Sequence, residues 1–533
     1  MAVALSIQRS PTPRPAIDRL PLEILGQIFS HLIPTNEKPI KWWKNWSYLH
    51  RIAFVCRKWS RAAGITPLLW THACPSWLPR QQLEYFLGKS EDLQLDVMLR
   101  YEMLSKDSWV VLEAHVPRFR ELTISFPDRE CFMIDIFEDT PELRGFLASA
   151  RSLATLNIEG NITGDISPLF DGSISTSQFF VLSSPSRVQW PTRIFGALTS
   201  LHIELGATYT SHEFFSSILE TLRANLSLHH VDVCCETSNR WRPPIGYPLI
   251  SLPFLEKLAL ITPRLAAKGL LSCLALPRTT RLYLDINLRA DDFPADEDFP
   301  QSALESILPE DPTLLESLAT IDALVVLSTH KSEIRLQASA HGQPVLVLKV
   351  GYATIMTEHD YSGPRDLTWL QEWALTIDDT LPAFQITDVE IAGDDITEQQ
   401  TWTTFLQRLP AMQTLNVHAS AEAVLLAIRE MQEDFDVFDD MSCPELSTLR
   451  VIFWGSEDCS HVSALLSDIV QTRVSQGRRL RSTSIRFPHL LMWGQDSDHR
   501  SASPRRSQLQ YLNLEDTRIV PDFLIHRTTR TSG

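Results

Sequence analysis

The sequence predicts a mixed α/β fold in which a small N-terminal domain of three helices precedes an irregular solenoid of strand–helix repeats. Short segments of the form apolar-x-apolar recur along the chain, and helical patterns such as 80–89, 213–226 and 421–431 lie between them. The chain has 533 residues, more than one ordinary hydrophobic core supports. Because one strand and one helix cannot bury their apolar faces alone, such units must stack on their neighbours.

The apolar-x-apolar segments define the repeat. In the first half of the chain they begin at 95, 122, 156, 201, 231, 258 and 282, so successive positions differ by 24 to 45 residues. Further segments lie at 386–391, 412–417, 446–451 and 509–514. The intervals bracket the period of leucine-rich repeats, although they are irregular. On the predicted strands, the exposed positions include Thr123, Asn157, His202, Asp232, Ala259, Tyr283 and Asn416.

Composition and charge argue against several classes of function. Hydrophobic residues make up 44% and charged residues 21%, as in a globular protein. The net charge of −17 disfavours nucleic-acid and anionic-membrane binding, because both require a basic face. Eight cysteines without a C-x-x-C pair predict reduced thiols in the cytosol or nucleus. With no secretory signal pattern and no apolar run of about 18 residues, we expect no membrane span.

Three short apolar blocks open the chain: LPLEILGQIFSHL at 20–32, IAFVCRKWSRAAG at 52–64 and TPLLW at 66–70. Pro21 suits the first position of a helix, where its missing N–H is not needed. The apolar residues of that helix span an arc of about 160°, wider than the roughly 100° that one core requires. The excess predicts burial on two sides, against its own domain and against a partner. The alternative is an ordinary three-helix cap on the repeats.

Taken in order, these blocks resemble the F-box, whose usual form is L-P-x-E followed by V-C-[RK]-x-W and then L-W. The resemblance implies an N-terminal domain that binds a Skp-type linker protein, and through it a cullin–RING ubiquitin ligase, while the repeats hold a protein substrate. It implies linker contacts at the matching positions, which are Leu20, Pro21, Ile24, Leu25, Ile28, Leu32, Val55, Cys56, Trp59, Leu69 and Trp70.

The insertion between the first two blocks departs from the usual F-box, which joins its first two helices briefly. Residues 33–48 intervene here and carry Trp42, Trp43 and Trp46. Fungal F-box proteins with irregular leucine-rich repeats contain such insertions, and the chain resembles that type. The three tryptophans could form a membrane or nucleic-acid patch with nearby lysines, or they could pack onto their own helices.

The predicted organisation is a disordered tail at 1–16, an F-box domain at 17–77 and a solenoid at 78–533. The tail contains SPTPRP, which favours an extended chain. The acidic, proline-rich segment 287–313 predicts a possible break in the array. Residues 320–385 contain apolar runs, but their period is too weak to assign.

Other motifs admit two interpretations. His229, His230, Cys234 and Cys235 could suggest a metal site, but adjacent residues of a strand face opposite sides and no zinc-finger partner pair follows. The acidic runs at 291–300 and 433–440 are either solvated loops or docking patches for basic substrates. No nucleophile elbow, zinc-protease, Walker or dinucleotide motif occurs. We therefore predict no catalytic, cofactor or metal site.

The sequence leaves three functional hypotheses. The first is a non-catalytic adaptor of a Skp–cullin–F-box ubiquitin ligase, which holds a substrate near the ubiquitin-loaded enzyme. The second is an interaction scaffold built on the repeats that recruits no cullin. The third is an enzyme with its active site in 320–385, for which no sequence feature speaks.

Overall fold

The computed structural model describes most of the chain in segments separated by gaps. The described residues are 16–32, 49, 51–126, 134–135, 141–160, 162–166, 177–184, 188–189, 198–205, 212–235, 247–288, 303–330, 333–352, 375, 385–392, 399–418, 421–433, 443–452 and 459–486. The predicted tail up to 15, the insertion 33–48 and the predicted strand 509–514 therefore lie outside the described residues.

The N-terminal helices follow the three apolar blocks. Helix α1 spans Leu22–Leu32, residues 51–55 are helical, α2 spans Arg57–Gly64, and a short 3-10 turn spans Pro67–Trp70. Pro21 directly precedes α1, and its carbonyl accepts a bond from the N–H of Leu25 at 3.1 Å. We call residues 16–32 and 49–70 the helical domain.

The remaining helices alternate with strands. They are α3 (Arg80–Lys89), α4 (Lys106–Glu113), α5 (Pro141–Ser149), α6 (His212–Ala224), α7 (Arg264–Leu271), α8 (Ala303–Ile307), α9 (Gln399–Gln407), α10 (Ala421–Glu433) and α11 (Cys459–Ser475). Helix α3 has the bounds that its sequence pattern predicts. Helix α11 was not predicted, because its apolar residues form a weaker stripe.

The strands in the first part of the chain are β1 (His72–Ala73), β2 (Leu95–Arg100), β3 (Phe119–Ser125), β4 (Ile134–Asp135), β5 (Thr155–Glu159), β6 (Ile162–Asp165), β7 (Phe179–Ser184), β8 (Val188–Gln189), β9 (Ser200–Leu205), β10 (His230–Cys235), β11 (Ile250–Ser251), β12 (Lys257–Thr262), β13 (Leu274–Ala275) and β14 (Arg281–Leu288). Those in the second part are β15 (Ala323–His330), β16 (Glu333–Ala340), β17 (Gln343–Tyr352), β18 (Asp388–Ala392), β19 (Thr414–His418), β20 (Thr448–Ile452) and β21 (Ser482–Arg486).

The described residues form two compact units. The first holds those up to 288 together with 305–317 and 350–352, and the second holds 303–304, 318–349 and those from 375 onward. The predicted domain boundary after residue 77 and the predicted break near 287–313 stay predictions, and 289–302 lie outside the described residues.

The main sheet of the first unit runs in the order β1-β2-β3-β5-β7-β9-β10-β12-β14. Each neighbouring pair is parallel, as expected when a helix or loop returns the chain to the same edge after every strand. The strands of two small sheets, β4-β6-β8 and β11-β13, lie between those of the main sheet along the chain. The predicted mixed α/β fold, with helices at the N-terminus and repeated parallel strands, is confirmed.

The register of this sheet explains the uneven spacing in the sequence. Strand β7 pairs with both β5 and β9, and it divides the longest predicted interval into two shorter ones. Its sequence FFVLSS is a continuous apolar run rather than an alternating one, which hides it from a search for apolar-x-apolar. The first predicted position is also corrected, because Val97, not Leu95, pairs with Leu122.

In the second unit, β15, β18, β19, β20 and β21 are parallel neighbours in that order. The segment that the sequence left unassigned contributes β15, β16 and β17. Strands β15 and β16 are antiparallel, and a two-residue turn with positive φ at His341 and Gly342 leads from β16 into β17. This hairpin arrangement has no helix between strands, so the repeat pattern is absent there.

Candidate functional site

The helical domain closes around a small core. Leu25 and Phe29 of α1 have no exposed surface, and neither do Ala62 and Ala63 of α2. The Phe29 and Trp59 rings lie 5.0 Å apart between centroids, which joins the two helices. Small residues on α2 allow the close approach that brings these rings together.

The 3-10 turn at the end of the domain folds back onto α2 and onto the first repeat. The Trp70 indole Nε1 donates to the Ala63 carbonyl at 2.8 Å, and Leu69 beside it is buried. The Trp70 ring also meets the rings of Tyr85 and Phe86 on α3 edge-on, at centroid distances of 5.7 and 5.4 Å. The helical domain and α3 therefore pack as one body.

The structure divides the predicted linker contacts into three groups. Those with exposed side chains are Pro21, Ile24, Ile28, Leu32, Val55 and Cys56. Leu20 and Trp59 are half-buried. Leu25, Leu69 and Trp70 lie in the domain core instead, so their side chains have almost no surface to offer a partner. Contact between any of the eleven residues and a partner stays a prediction.

The exposed residues of α1 form one ridge. Ile24, Ile28 and Leu32 follow each other at intervals of four residues, so they lie along the same side of the helix. Their side chains are 40%, 38% and 54% exposed, a large fraction for aliphatic residues. The ridge therefore leaves apolar surface that the domain itself does not cover.

Sequence reasoning missed further exposed apolar side chains in the same domain. They are Ile17, Phe54, Ile65 and Leu68, and Phe54 is the most exposed of them at 74%. Phe54 adjoins the predicted contact Val55, and Leu68 adjoins the buried Leu69. Their location inside the three apolar blocks was therefore the one sequence feature that could have identified them. We call Pro21, Ile24, Ile28, Leu32, Phe54, Val55 and Cys56 the exposed apolar set.

An ionic network joins the first three strands of the main sheet. Asp96 on β2 is almost fully buried, and its carboxylate lies 3.1 Å from Nδ1 of His72 on β1. Nε of Arg120 on β3 donates to the same carboxylate at 2.9 Å. Burial raises the pKa of Asp96, but the hydrogen bonds to His72 and Arg120 outweigh it and hold the pKa below its ordinary value. The network ties three neighbouring strands together.

One face of the first sheet carries the residues predicted to be exposed. Strand pairing places Thr123, Asn157, His202, Asp232, Ala259 and Tyr283 in one register row. Their exposure differs from the prediction, since Thr123, Asn157 and Ala259 are buried. The Asn157 Nδ2 donates to the Thr123 Oγ1 at 3.0 Å, which satisfies part of this buried polar surface.

His202 on this face has a strongly shifted pKa. Its Nδ1 lies 3.1 Å from the Asp232 carboxylate on the next strand, and its Nε2 lies 4.0 Å from Glu204 on its own strand. Burial lowers the pKa of His202, but the hydrogen bond with Asp232 and the negative charges of Asp232 and Glu204 raise it to about 9. His202 is therefore a cation at neutral pH. The Glu204 carboxylate also accepts a hydrogen bond from Ser183 Oγ at 3.1 Å.

The residues considered for a metal site have other contacts. His229 lies 3.0 Å from Glu256 and stacks on the Phe254 ring at a centroid distance of 6.1 Å. Among the residues that the structure describes, no group of three or more His, Cys, Asp or Glu side chains could hold a metal ion. Within the same residues, no helix has the length and apolar character needed to cross a membrane.

Comparison with known proteins identifies the helical domain. Residues 17–76 match a family model described as F-box-like, so the chain carries an F-box-like domain at its N-terminal end. The search of curated proteins finds no match. Two solved structures are similar: the complex of Rad7 and Elc1 in yeast, at 12% identity over 87% of each chain, and a Bacteroides fragilis protein, at 11% identity over 69% of this chain and 66% of the other. Their TM-scores of 0.25 and 0.19 are too low to define fold or function.

Proposed function

We propose that this protein is the substrate-recognition adaptor of a Skp–cullin–F-box ubiquitin ligase. The observation that carries the proposal is the F-box-like match over residues 17–76. A Skp-type linker binds the helical domain, and the cullin–RING ligase is reached through that linker. The protein acts in the cytosol or nucleus and needs no cofactor of its own.

The exposed apolar set supplies the linker contact in this proposal. Ile24, Ile28 and Leu32 present a ridge that the domain does not cover, and Val55 and Cys56 lie exposed just before α2. Burying apolar surface against a partner is favourable by about 25 cal/mol per Å². A helix with a core face and a second apolar face suits insertion into a groove on the linker. Leu20 and Trp59 contribute the half-buried margin of the contact.

The repeats are the proposed substrate surface. Strand residues on the face away from the apolar rows, such as His202 and Tyr283, are half-exposed and chemically varied. A rigid sheet presents them at fixed spacing, as a recognition surface requires. The adaptor acts by proximity, because holding the substrate near the ubiquitin-loaded enzyme raises the effective concentration of its lysines. The bond-making chemistry belongs to the partners.

The test is capture of a purified Skp-type linker by the full chain. A double variant, Ile24→Asp with Ile28→Asp, places carboxylates where the linker groove requires apolar groups. We expect loss of capture, since residues at the centre of an interface each contribute about 2 kcal/mol or more. A matched control, Leu226→Asp with Leu249→Asp, changes side chains that are 52% and 53% exposed but lie far along the chain from the helical domain.

The outcomes separate the adaptor from a scaffold. Capture by the native chain and the control, with loss in the folded double variant, supports linker binding. Recruitment of a cullin by the captured complex then supports the ligase adaptor, and its failure favours a scaffold that uses the linker for another purpose. A well-folded native chain that captures no linker would overturn the proposal.

A further inference from the structure

The exposed surface of the helical domain continues beyond the F-box-like match, which ends at residue 76. Tyr85 on α3 is 57% exposed, although one edge of its ring contacts the buried Trp70. Leu68, in the same short turn as Trp70, is also 57% exposed. The turn and α3 thus each present an apolar side chain to solvent.

Lys89 connects this surface to α2. Its Nζ lies 5.6 Å from the Tyr85 ring centroid, within range of a cation–π interaction. A Cβ built on Gly64 would lie 3.9 Å from the same Nζ, so the ammonium group sits beside the C-terminal end of α2. A cation is favoured there by the helix dipole. Ile65, which follows directly, is 52% exposed. We call Ile65, Leu68, Tyr85 and Lys89 the junction patch.

The two helices beside the junction patch are basic, although the exposed Glu91 and Asp92 follow α3 and the chain as a whole carries a net charge of −17. Helix α2 reads RKWSRAAG, with three basic residues and no acidic one. Arg57 and Arg61 are exposed on it. On α3, the one acidic residue, Glu84, lies 2.8 Å from Arg80 and is neutralised by it. The two helices therefore offer positive charge beside apolar side chains.

We propose that the junction patch binds an acidic segment of the same Skp-type linker, so that the linker contact extends from the F-box-like domain onto the first repeat helix. This inference rests on the proposed function. Val55 and Cys56, which belong to the exposed apolar set, immediately precede the basic helix α2. Because Arg57 of α2 follows Cys56 directly, a linker seated on Val55 and Cys56 reaches the start of α2. The positive charge there selects an acidic segment for the remaining contact.

The experiment measures the affinity of the full chain for a purified Skp-type linker by calorimetry at about 0.1 M and about 1 M salt, where the Debye length falls from about 10 Å to about 3 Å. The variants are Lys89→Glu and Tyr85→Ser. Matched controls on α4 are Lys106→Glu and Val110→Ser, at two exposed positions one repeat further along. Thermal unfolding and circular dichroism verify that each variant is folded.

We expect Lys89→Glu to weaken binding by about tenfold or more at low salt and by much less at high salt, because a charge contact is screened. Tyr85→Ser should weaken binding by about tenfold at both salt concentrations, because an apolar contact is not screened. The controls should bind like the native chain.

Three results would overturn the inference, and they are distinguishable. A native chain that binds no linker removes the proposed function and this inference together. Native binding that both junction variants retain removes the inference alone and leaves the linker contact within the F-box-like domain. Equal weakening by the α4 controls shows a general charge effect rather than a local contact.

Discussion

Helix α1 and strand β12 contain similar apolar residues but bury them very differently. On β12, Leu258 and Leu260 are 0% and 1% exposed, whereas Ile24 and Ile28 of α1 remain 40% and 38% exposed. The strand has a paired neighbour on each side, β10 and β14, and helix α7 packs against it, so the repeat itself covers its apolar row. The helix has a core on one side only. The fold covers the apolar side chains of its repeats but leaves those on one side of α1 uncovered. Such a difference indicates that α1 has a binding partner.

The strongest test of this comparison lies within α1, where a core residue and a ridge residue are adjacent. Phe29 is fully buried against Trp59, and Phe29→Ala should destabilise the helical domain by about 3–5 kcal/mol, since a large cavity is left behind. Ile28→Ala should change its stability by no more than about 0.5 kcal/mol, because that side chain faces outward. Amide hydrogen exchange of α1 measures the local opening free energy.

Capture of the linker by the Phe29→Ala and Ile28→Ala variants provides the complementary measurement, of binding rather than stability. Ile28→Ala should weaken capture while leaving hydrogen exchange unchanged. Similar losses of stability in the two variants would mean that Ile28 belongs to the core, and the distinction between the two faces of α1 would fail.

The sequence could predict this ridge only in part, because periodicity measures the width of an apolar arc and not which edge of it is covered. Ile24 and Leu25 both lie on the arc, yet one is exposed and the other has no exposed surface. Leu69 and Trp70 are buried because their turn folds back on α2 and α3, a tertiary contact that no local spacing reports. The family resemblance located the domain, and packing decided which of its residues remain exposed.

The strands were easier to predict from the sequence than the connections between them. Alternation identified β3, β9 and β19 because one face of each is buried, and period two is then imposed by the pleat. It missed β21, whose sequence STSIR contains too few apolar residues to show alternation. It also gave no account of the β15–β16 pair, since an antiparallel hairpin interrupts the repeat on which the reasoning relied.

The exposed face of the strands differs from α1 in carrying charged rather than apolar side chains. On this face, His202 allows a test of how stability depends on pH. Its folded-state pKa of about 9 exceeds the ordinary value of 6.5, so the folded state binds the proton more tightly. The resulting stabilisation, about 2–3 kcal/mol, is complete below about pH 6.5 and is lost as the pH rises through about 9. His202→Gln should abolish this dependence, as measured by urea unfolding across that range.

His230 on the adjacent strand is the matched control. Burial lowers the pKa of His230, the opposite of what Asp232 and Glu204 do at His202. His230→Gln should therefore keep the loss of stability between pH 6.5 and 9 that the native chain shows. A native chain whose stability is flat over that interval would show that the carboxylates do not hold the His202 proton.

The smallest expected effect concerns how closely α1 packs against its own domain, and it uses two helical glycines. A Cβ on Gly26 of α1 would lie 2.2 Å from the Thr66 Oγ1, whereas one on Gly88 of α3 would have no heavy atom within 4 Å. Alanine in a helix is favoured over glycine by about 1 kcal/mol, so Gly88→Ala should stabilise α3 by roughly that amount. Gly26→Ala should instead destabilise the helical domain by about 1–3 kcal/mol, because Thr66 is fixed by its own bond to the Ala62 carbonyl and cannot move away freely. Amide hydrogen exchange in the two variants measures whether α1 and α3 become more or less stable.

If Gly26→Ala stabilised α1 as Gly88→Ala stabilises α3, the close core-side contact would be absent. The exposed ridge would then reflect a loosely packed helix rather than a surface kept for a partner.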